Sequence, residues 1–204
     1  GNGCHTHISI WDAAGNKNLF LKKSDKLGLS KLAYDFIGVV MKHAVSMCAI
    51  FNPSVNSYTR LDAPRTTSGA TWSPSAVTYS GNNRTHMIRV PDDGRFELRL
   101  MDGSTNPYLA QAAVIASGLD GIANKIDPGE PSFINMYEDG HKLKSVKKLP
   151  STLLDALRLL EKNKTLQNEL GTDVVESYIK LKMLEWSEYT KHLSEWERVN
   201  THDC

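Results

Sequence analysis

Cysteine is scarce and poorly placed for cross-linking: Cys4, Cys48 and Cys204 are the only 3 in 204 residues, and no two stand at Cys-x-x-Cys spacing. An odd, scattered set argues against a disulfide framework or a thiolate zinc knuckle, and free thiols in a reducing, cytoplasmic compartment are expected. Charge of one sign is missing as well. With 24 Lys and Arg against 23 Asp and Glu, the formal net charge is +1, which gives no general attraction to nucleic acid or to an anionic membrane. There is no long hydrophobic run. The stretch near 39–51 is interrupted by Lys42, His43 and Ser46 and falls short of the roughly 20 apolar residues a membrane span needs. Neither a signal-peptide pattern, an internal repeat nor a low-complexity tract is visible, although the sequence opens on Gly1 rather than Met and leaves an upstream signal open. What remains is ordinary for a globular chain, 40% hydrophobic and 23% charged, enough for one substantial core or two small ones.

Periodicity supplies the elements. Residues 3–11 alternate polar and apolar, Asp12 to Asn16 make a turn around Gly15, and 18–21 suit a return strand. Apolar residues then recur at spacings of three and four from Leu32 to Ile50, predicting a helix over 30–51 with Ser30 as its N-cap and Asn52-Pro53 as its stop. Residues 52–83 are rich in Ser, Thr, Asn and Pro, the composition of a functional loop. Strands are expected over 85–90 and 95–101, joined by a Pro91-Asp92-Asp93-Gly94 turn. Pro107 opens a helix to about Ile126, 127–150 reads as an exposed connection, Ser151 caps a helix to about Lys162, and Thr172 caps a long helix reaching about Arg198. Strands first and helices later suggest an α+β domain, an antiparallel curved sheet with helices packed on its back.

Two stretches place charge on one strand face. Residues two apart in an extended chain share a face. His5, His7 and Ser9 therefore line one side of the first strand, while Arg95, Glu97 and Arg99 share a side with Phe96, Leu98 and Leu100 behind them. An isolated His-x-His is as readily two polar residues on a solvated strand. Here Gly1 and Gly3 precede it and allow backbone to approach a ligand closely. Arginine is concentrated too, with Arg60, Arg65, Arg84, Arg89, Arg95 and Arg99 close together, and guanidinium forks bind carboxylate and phosphate in a way lysine does not. A carboxylate flanked by guanidiniums beside imidazoles suits a polyanion held with a divalent cation. Since magnesium prefers oxygen donors, one His with carboxylates is a better first shell than two His. His5 is thus assigned to metal or substrate and His7 to a nucleotide. Tyr58, Trp72 and Tyr79 are suited either to stacking on a base or to simple packing.

The motifs together resemble the glutamine synthetase family. Gly1-Asn2-Gly3-Cys4-His5-Thr6-His7-Ile8-Ser9 is similar to its ATP-binding signature and Asn52 to Leu61 to its glutamate-binding segment. Asn83-Arg84, Ile88 to Pro91, Arg95 to Arg99 and Asp102 to Tyr108 follow in the family's order, and Leu149 to Ser151 and Tyr178 to Lys182 resemble its C-terminal helices.

The resemblance implies an ATP-dependent glutamate–ammonia ligase working through γ-glutamyl phosphate with Mg²⁺ or Mn²⁺, in a cytoplasmic homo-oligomeric ring, a dodecamer. It implies that residues 1–204 are the C-terminal part of the catalytic domain of a longer enzyme and are inactive alone. Position by position, it implies that Gly1, Arg60 and Arg99 hold glutamate, His5 and Glu97 hold metal, and His7, Ser9, Arg89 and Arg95 contact ATP. Arg84 matches the position that stabilises the transferring phosphoryl group. The family's further metal carboxylates would lie before Gly1, and a non-catalytic fragment or dead relative is the alternative of another class. The family's loop glutamate has no counterpart in 62–74, where Asp62 is the one acid and Trp72 offers an apolar wall. That loop resembles a branch including γ-glutamylmethylamide synthetases, so a small alkylamine is the alternative acceptor to ammonia.

Overall fold

Helix α1, Lys31–Phe51, starts where Ser30 Oγ accepts the Ala33 amide and ends where the Asn52 amide donates to the Cys48 carbonyl. The computed structural model of the chain describes residues 2–61, 63 and 73–200. By length and composition α1 is apolar enough to cross a membrane, yet 83% of its apolar window is buried inside the fold. It is the central core helix, with Phe36, Ile37, Val40, Ala44, Met47 and Phe51 all buried.

The sheet lies against α1. Its strands are β1 (Thr6–Ile8), β2 (Tyr79–Ser80), β3 (Ile88–Arg89) and β4 (Phe96–Leu98), in the spatial order β1-β4-β3-β2. Both pairings of β4 are antiparallel as expected, but β2 runs parallel to β3. The intervening turn carries the chain back to the same end of the sheet, held by Asn83, whose Nδ2 donates to the Ile134 carbonyl and whose Oδ1 accepts from Thr85. Phe96 stacks on Phe20 at 6.0 Å and meets Phe36 of α1 at 5.8 Å, which fixes the face of β4 that turns inward. The return strand expected after the Gly15 turn reduces to a single bridge between Trp11 and Asn18.

Helix α2, Pro107–Asn124, is capped by Asn106, whose side chain accepts the Tyr108 and Leu109 amides, and ends at Lys125 in the left-handed region (φ 49°). Small residues bring it close to α1: a Cβ on Gly121 would stand 2.6 Å from the Asp35 carbonyl oxygen, and one on Gly118 would stand 2.0 Å from the Phe36 ring. The connection over 127–150 contains a short helix α3, Met136–Asp139, and a 3₁₀ turn, Gly140–Lys142.

The later helices depart from expectation in detail. Helix α4, Leu153–Lys162, is capped by Thr152 rather than Ser151, because it is the Thr152 hydroxyl that accepts the Asp155 amide and donates back to the Asp155 carboxylate. Asn163 then caps α5, Lys164–Leu170, an element too short and polar to stand out by periodicity. The long final helix divides into α6, Thr172–Tyr189, and α7, Glu195–Asn200, and Gly171 rather than Thr172 precedes it. Buried His43 joins three of these helices: its Nδ1 accepts from Asn163 Nδ2 at 2.8 Å, and its Nε2 donates to Asp120 at 3.0 Å. Tyr58 and Tyr79 are both packing residues, with their hydroxyls donating to the Cys48 and Gly129 carbonyls.

Alanine in a helix interior normally gains about 1 kcal/mol over glycine. At Gly121 the added methyl meets backbone that cannot rotate away, so Gly121→Ala should instead lower the unfolding free energy by about 1–3 kcal/mol, read from the urea midpoint of the full-length protein.

Candidate active site

Register decides which charged side chains meet. His7 pairs with Glu97, Glu97 with Arg89, and Arg89 with Ser80, so one row runs across all four strands of the sheet. Cross-strand partners project from the same face, and here that face is turned away from α1. Beyond Thr6↔Leu98 the next bridge is Gly3↔Asp102, so residues 4 and 5 of one strand oppose residues 99–101 of the other. This bulge leaves Arg99 on the charged face while Leu100 and Met101 are both buried.

Glu97 is the centre. It is 3% exposed, yet its carboxylate accepts from Arg89 Nη1 at 2.8 Å on Oε2 and from Arg99 Nη1 at 2.9 Å on Oε1. Burial on its own would push its carboxyl up; the Arg89 hydrogen bond and the Arg99 and Arg89 charges outweigh it and hold Glu97 below its ordinary value. One carboxylate between two guanidiniums leaves the cluster with a positive excess, a setting for an anion.

His5 Nδ1 stands 3.1 Å from Glu97 Oε1 and 3.2 Å from Arg99 Nη1. Burial first, and the Arg99 charge second, hold the imidazole below its ordinary value, with Glu97 opposing them. A neutral ring that donates Nδ1–H to Glu97 keeps the Nε2 lone pair for a ligand. The backbone leaves room there: a Cβ at Gly3 would stand 2.9 Å from His5 Nε2 and 3.0 Å from Arg60 Nη2.

The other expected residues surround this centre unequally. Arg60 is buried beneath it, donating from Nη2 to the Arg99 carbonyl at 2.9 Å and from Nη1 to the Leu100 carbonyl at 3.1 Å; burial holds its guanidinium below its ordinary value, with the Asp102 carboxylate opposing. Arg95 lies at the rim, with Nε and Nη2 on Asp92 Oδ2 and Nη1 3.2 Å from His7 Nδ1. Ser9 Oγ accepts from Trp11 Nε1, and both His7 and Ser9 line a cleft of about 690 Å³ whose far wall is α2. Arg84 is exposed in the turn after β2, lining a separate cleft of about 600 Å³ with Ser80, Asn82 and Phe133. No hydrogen bond ties Arg84 to the Glu97 cluster among the described residues. Gly1, Asp62, Arg65 and Trp72 lie outside those residues.

The chain resembles known proteins along its whole length. It matches the family described as glutamine synthetase, catalytic domain, over residues 1–201. The chain belongs to the glutamine synthetase family. It is 54% identical over 203 residues to a glutamine synthetase of Rhizobium leguminosarum bv. phaseoli, covering 100% of this chain and 47% of that protein. It is 49% identical over 207 residues to a glutamate–methylamine ligase of Methyloversatilis universalis, covering 99% of this chain and 46% of that protein. Among solved structures, a GmaS/ADP complex superposes with a TM-score of 0.93 at 53% identity, covering 100% of this chain and 46% of that one. This member of the glutamine synthetase family thus spans about half the length of the relatives it matches.

The family in general uses ATP and a divalent metal. Among the described residues no three His, Cys, Asp or Glu side chains gather as a metal cage. His5 and Glu97 are a two-donor set, which fits magnesium or manganese, ions that keep waters and take substrate phosphate oxygens to complete their shell. The Gly3 gap at His5 Nε2 is consistent with that use. Sequence reasoning missed Asn82, which accepts from Arg89 Nε at 2.8 Å and from Arg89 Nη2 at 2.6 Å. The only signal was a polar Asn82-Asn83 pair preceding an arginine-bearing strand.

Because the folded state resists charging His5, it binds fewer protons than the unfolded chain once pH falls below the ordinary histidine value of 6.5, and stability declines on acidification. Glu97 acts with the same sign below its ordinary 4.5, and buried His86, also held low by burial, adds to the upper range. The unfolding free energy of the full-length protein should fall as the pH drops below about 6.5, with His5→Gln reducing that slope and His86→Gln reducing the remainder.

Proposed function

We propose that this chain is the C-terminal part of the catalytic domain of an ATP-dependent ligase that joins glutamate to ammonia. The observation carrying this reading is the buried Glu97 carboxylate held between Arg89 and Arg99 with neutral His5 on the same face. A general anion site would gain nothing from a buried carboxylate at its centre. A site for phosphate accompanied by a cation needs both signs side by side.

In this reading His5 and Glu97 hold Mg²⁺ or Mn²⁺, which when bound neutralises charge on the phosphate oxygens. Arg89 and Arg95 hold the ATP phosphates, with His7 and Ser9 along the cleft they line. Arg60, Arg99 and Gly1 take the glutamate carboxylates. The side-chain carboxylate oxygen of glutamate attacks the γ-phosphorus, the β–γ bridging P–O bond breaks and ADP leaves. The amine nitrogen then attacks the acyl carbon, phosphate departs with its oxygen, and a base removes the extra amine proton. Arg84, exposed on its turn, supports the phosphoryl group in flight. The likeness to a glutamate–methylamine ligase, at 49% identity, supports methylamine as the alternative acceptor. Nucleic acid and membrane play no part in either version.

The same reading places the enzyme in the cytoplasm, consistent with free Cys4 and Cys48, as a homo-oligomeric ring, a dodecamer. The C-terminal helices support assembly: Leu181, Leu184, Leu193, Trp196 and Val199 are exposed apolar residues along α6 and α7 and the segment between them. With two assigned metal donors, His5 and Glu97, and no three-donor group among the described residues, the chain by itself is expected to be inactive. A non-catalytic relative would keep the fold and lose the chemistry, and assay of the full-length protein separates the two.

That protein should release phosphate from ATP only when glutamate and an amine are present. Steady-state rates with ammonium and with methylamine at matched free-base concentration identify the acceptor, and a methylamine kcat/KM well above that for ammonia would make methylamine the preferred substrate. Arg84→Ala should cut kcat by about 10²-fold or more while glutamate KM moves little, as expected for a contact made in the transition state. An unchanged kcat would remove Arg84 from this role.

A further inference from the structure

Asn83, Thr85 and His86 all turn their side chains onto one distant segment, and the residue they leave out is Arg84. Asn83 Nδ2 and His86 Nε2 both donate to the Ile134 carbonyl oxygen, at 2.9 and 3.0 Å, and so use both of its lone pairs. The Thr85 hydroxyl accepts the Met136 amide at 3.0 Å and donates to Asn83 Oδ1 at 2.7 Å. Thr85 and His86 are buried and Asn83 is partly buried, whereas Arg84 takes no part in these bonds and is exposed.

The network closes around the backbone of Arg84 itself. Asn83 Oδ1 also accepts the Thr85 amide at 3.0 Å, so one side chain bridges over residue 84 and fixes the turn it occupies. The oxygen of Asn83 thus serves the turn, and its nitrogen ties that turn to Ile134. The far end of the tie is fixed as well. Asn135 caps α3 by accepting the Tyr137 amide, and Met136, whose amide reaches Thr85, is the first residue of that helix. The tied residues stand 51 apart in sequence, so local turn preference cannot supply the anchorage. An arginine that meets charge developing in a transition state gains most from being held in place beforehand. With its side chain outside the network, Arg84 depends on its backbone for that.

We infer that Asn83 and Thr85 are positioning residues for Arg84: they lock the backbone of residue 84 to the 134–136 segment, so that the guanidinium reaches the phosphoryl group from a fixed origin. The connection over 127–150 thereby takes a part in the reaction through the start of α3. This inference rests on the role given to Arg84 in the proposed function. The same bonds would serve stability alone if Arg84 did no chemistry. The two roles differ in one measurable respect, since positioning matters only while there is a guanidinium to position.

The test is a double-mutant cycle in the full-length enzyme, read by glutamate-dependent phosphate release, with thermal melting recorded alongside. Thr85→Val keeps the shape and removes the hydroxyl. It should lower kcat by about 10-fold, part of the loss of about 10²-fold expected for Arg84→Ala, while glutamate KM moves little. Thr85→Ser restores the hydroxyl and should return kcat to near that of the parent. In an Arg84→Ala background, Thr85→Val should cost no further kcat. Asn83→Ala, at a less buried position, should behave as Thr85→Val does, and it carries the test if the valine variant does not fold. Equal losses of kcat with and without Arg84, or parent-like kcat in both Thr85→Val and Asn83→Ala, would overturn this inference and leave Arg84 its role. A parent-like kcat in Arg84→Ala would instead defeat the role given to Arg84, and this inference with it.

Discussion

Everything on the charged face depends on keeping Glu97 ionised inside the protein. Removing a carboxylate from water is costly, and the cost is recovered only when strong donors surround it. Arg89 and Arg99 are those donors, and each is itself tied to the framework: Arg89 through Asn82 in the turn before β3, Arg99 through its place directly after β4 beside His5. Removing either guanidinium would leave an underpaired buried charge, so these arginines serve the folded state as well as any ligand. Arg60 extends the arrangement downward by donating to the backbone carbonyls of the strand that carries Arg99.

The hydrophobic side of the sheet makes that precision possible. Phe96 and Leu98 alternate with Glu97 and Arg99 and are fully buried, so rotating β4 would expose aromatic surface and bury a second row of charge. Helix α1 supplies the wall they pack against, and the glycines of α2 let a second layer approach α1 closely enough to hold it in place. The same packing that stabilises the core therefore also sets the orientation of the site.

Much of this was readable before the structure. Period-two alternation put His5 and His7 on one face and Arg95, Glu97 and Arg99 on another, and the register confirms that the two faces are one. The α1 boundaries followed from Ser30 and Asn52, whose capping chemistry is local. What escaped was set by contacts distant in sequence or by single hydrogen bonds. Nothing local distinguishes Thr152 from Ser151 as a cap, since both carry a hydroxyl, and the parallel run of β2 depends on a turn pinned by Ile134. Tyr58 and Tyr79 offered no hint whether they stack on a ligand or on the core, because either use needs the same ring. Asn82 was invisible for a related reason: an asparagine in a polar turn is ordinary until the arginine seven residues on folds back onto it.

The separation in sequence of the two halves of the site has a consequence for how the protein comes into being. His5 and Arg99 touch at a sequence separation of 94, and β1 has no strand partner other than β4 among the described residues. Closing so long a loop carries an entropic cost that local helices never meet, and contacts of this kind form late. During synthesis the pairing of β1 with β4 must wait until the whole of α1 and the arginine-rich turns have emerged and collapsed. Cation binding at His5 and Glu97 would then report native topology itself, because no partly folded chain could bring its two donors together.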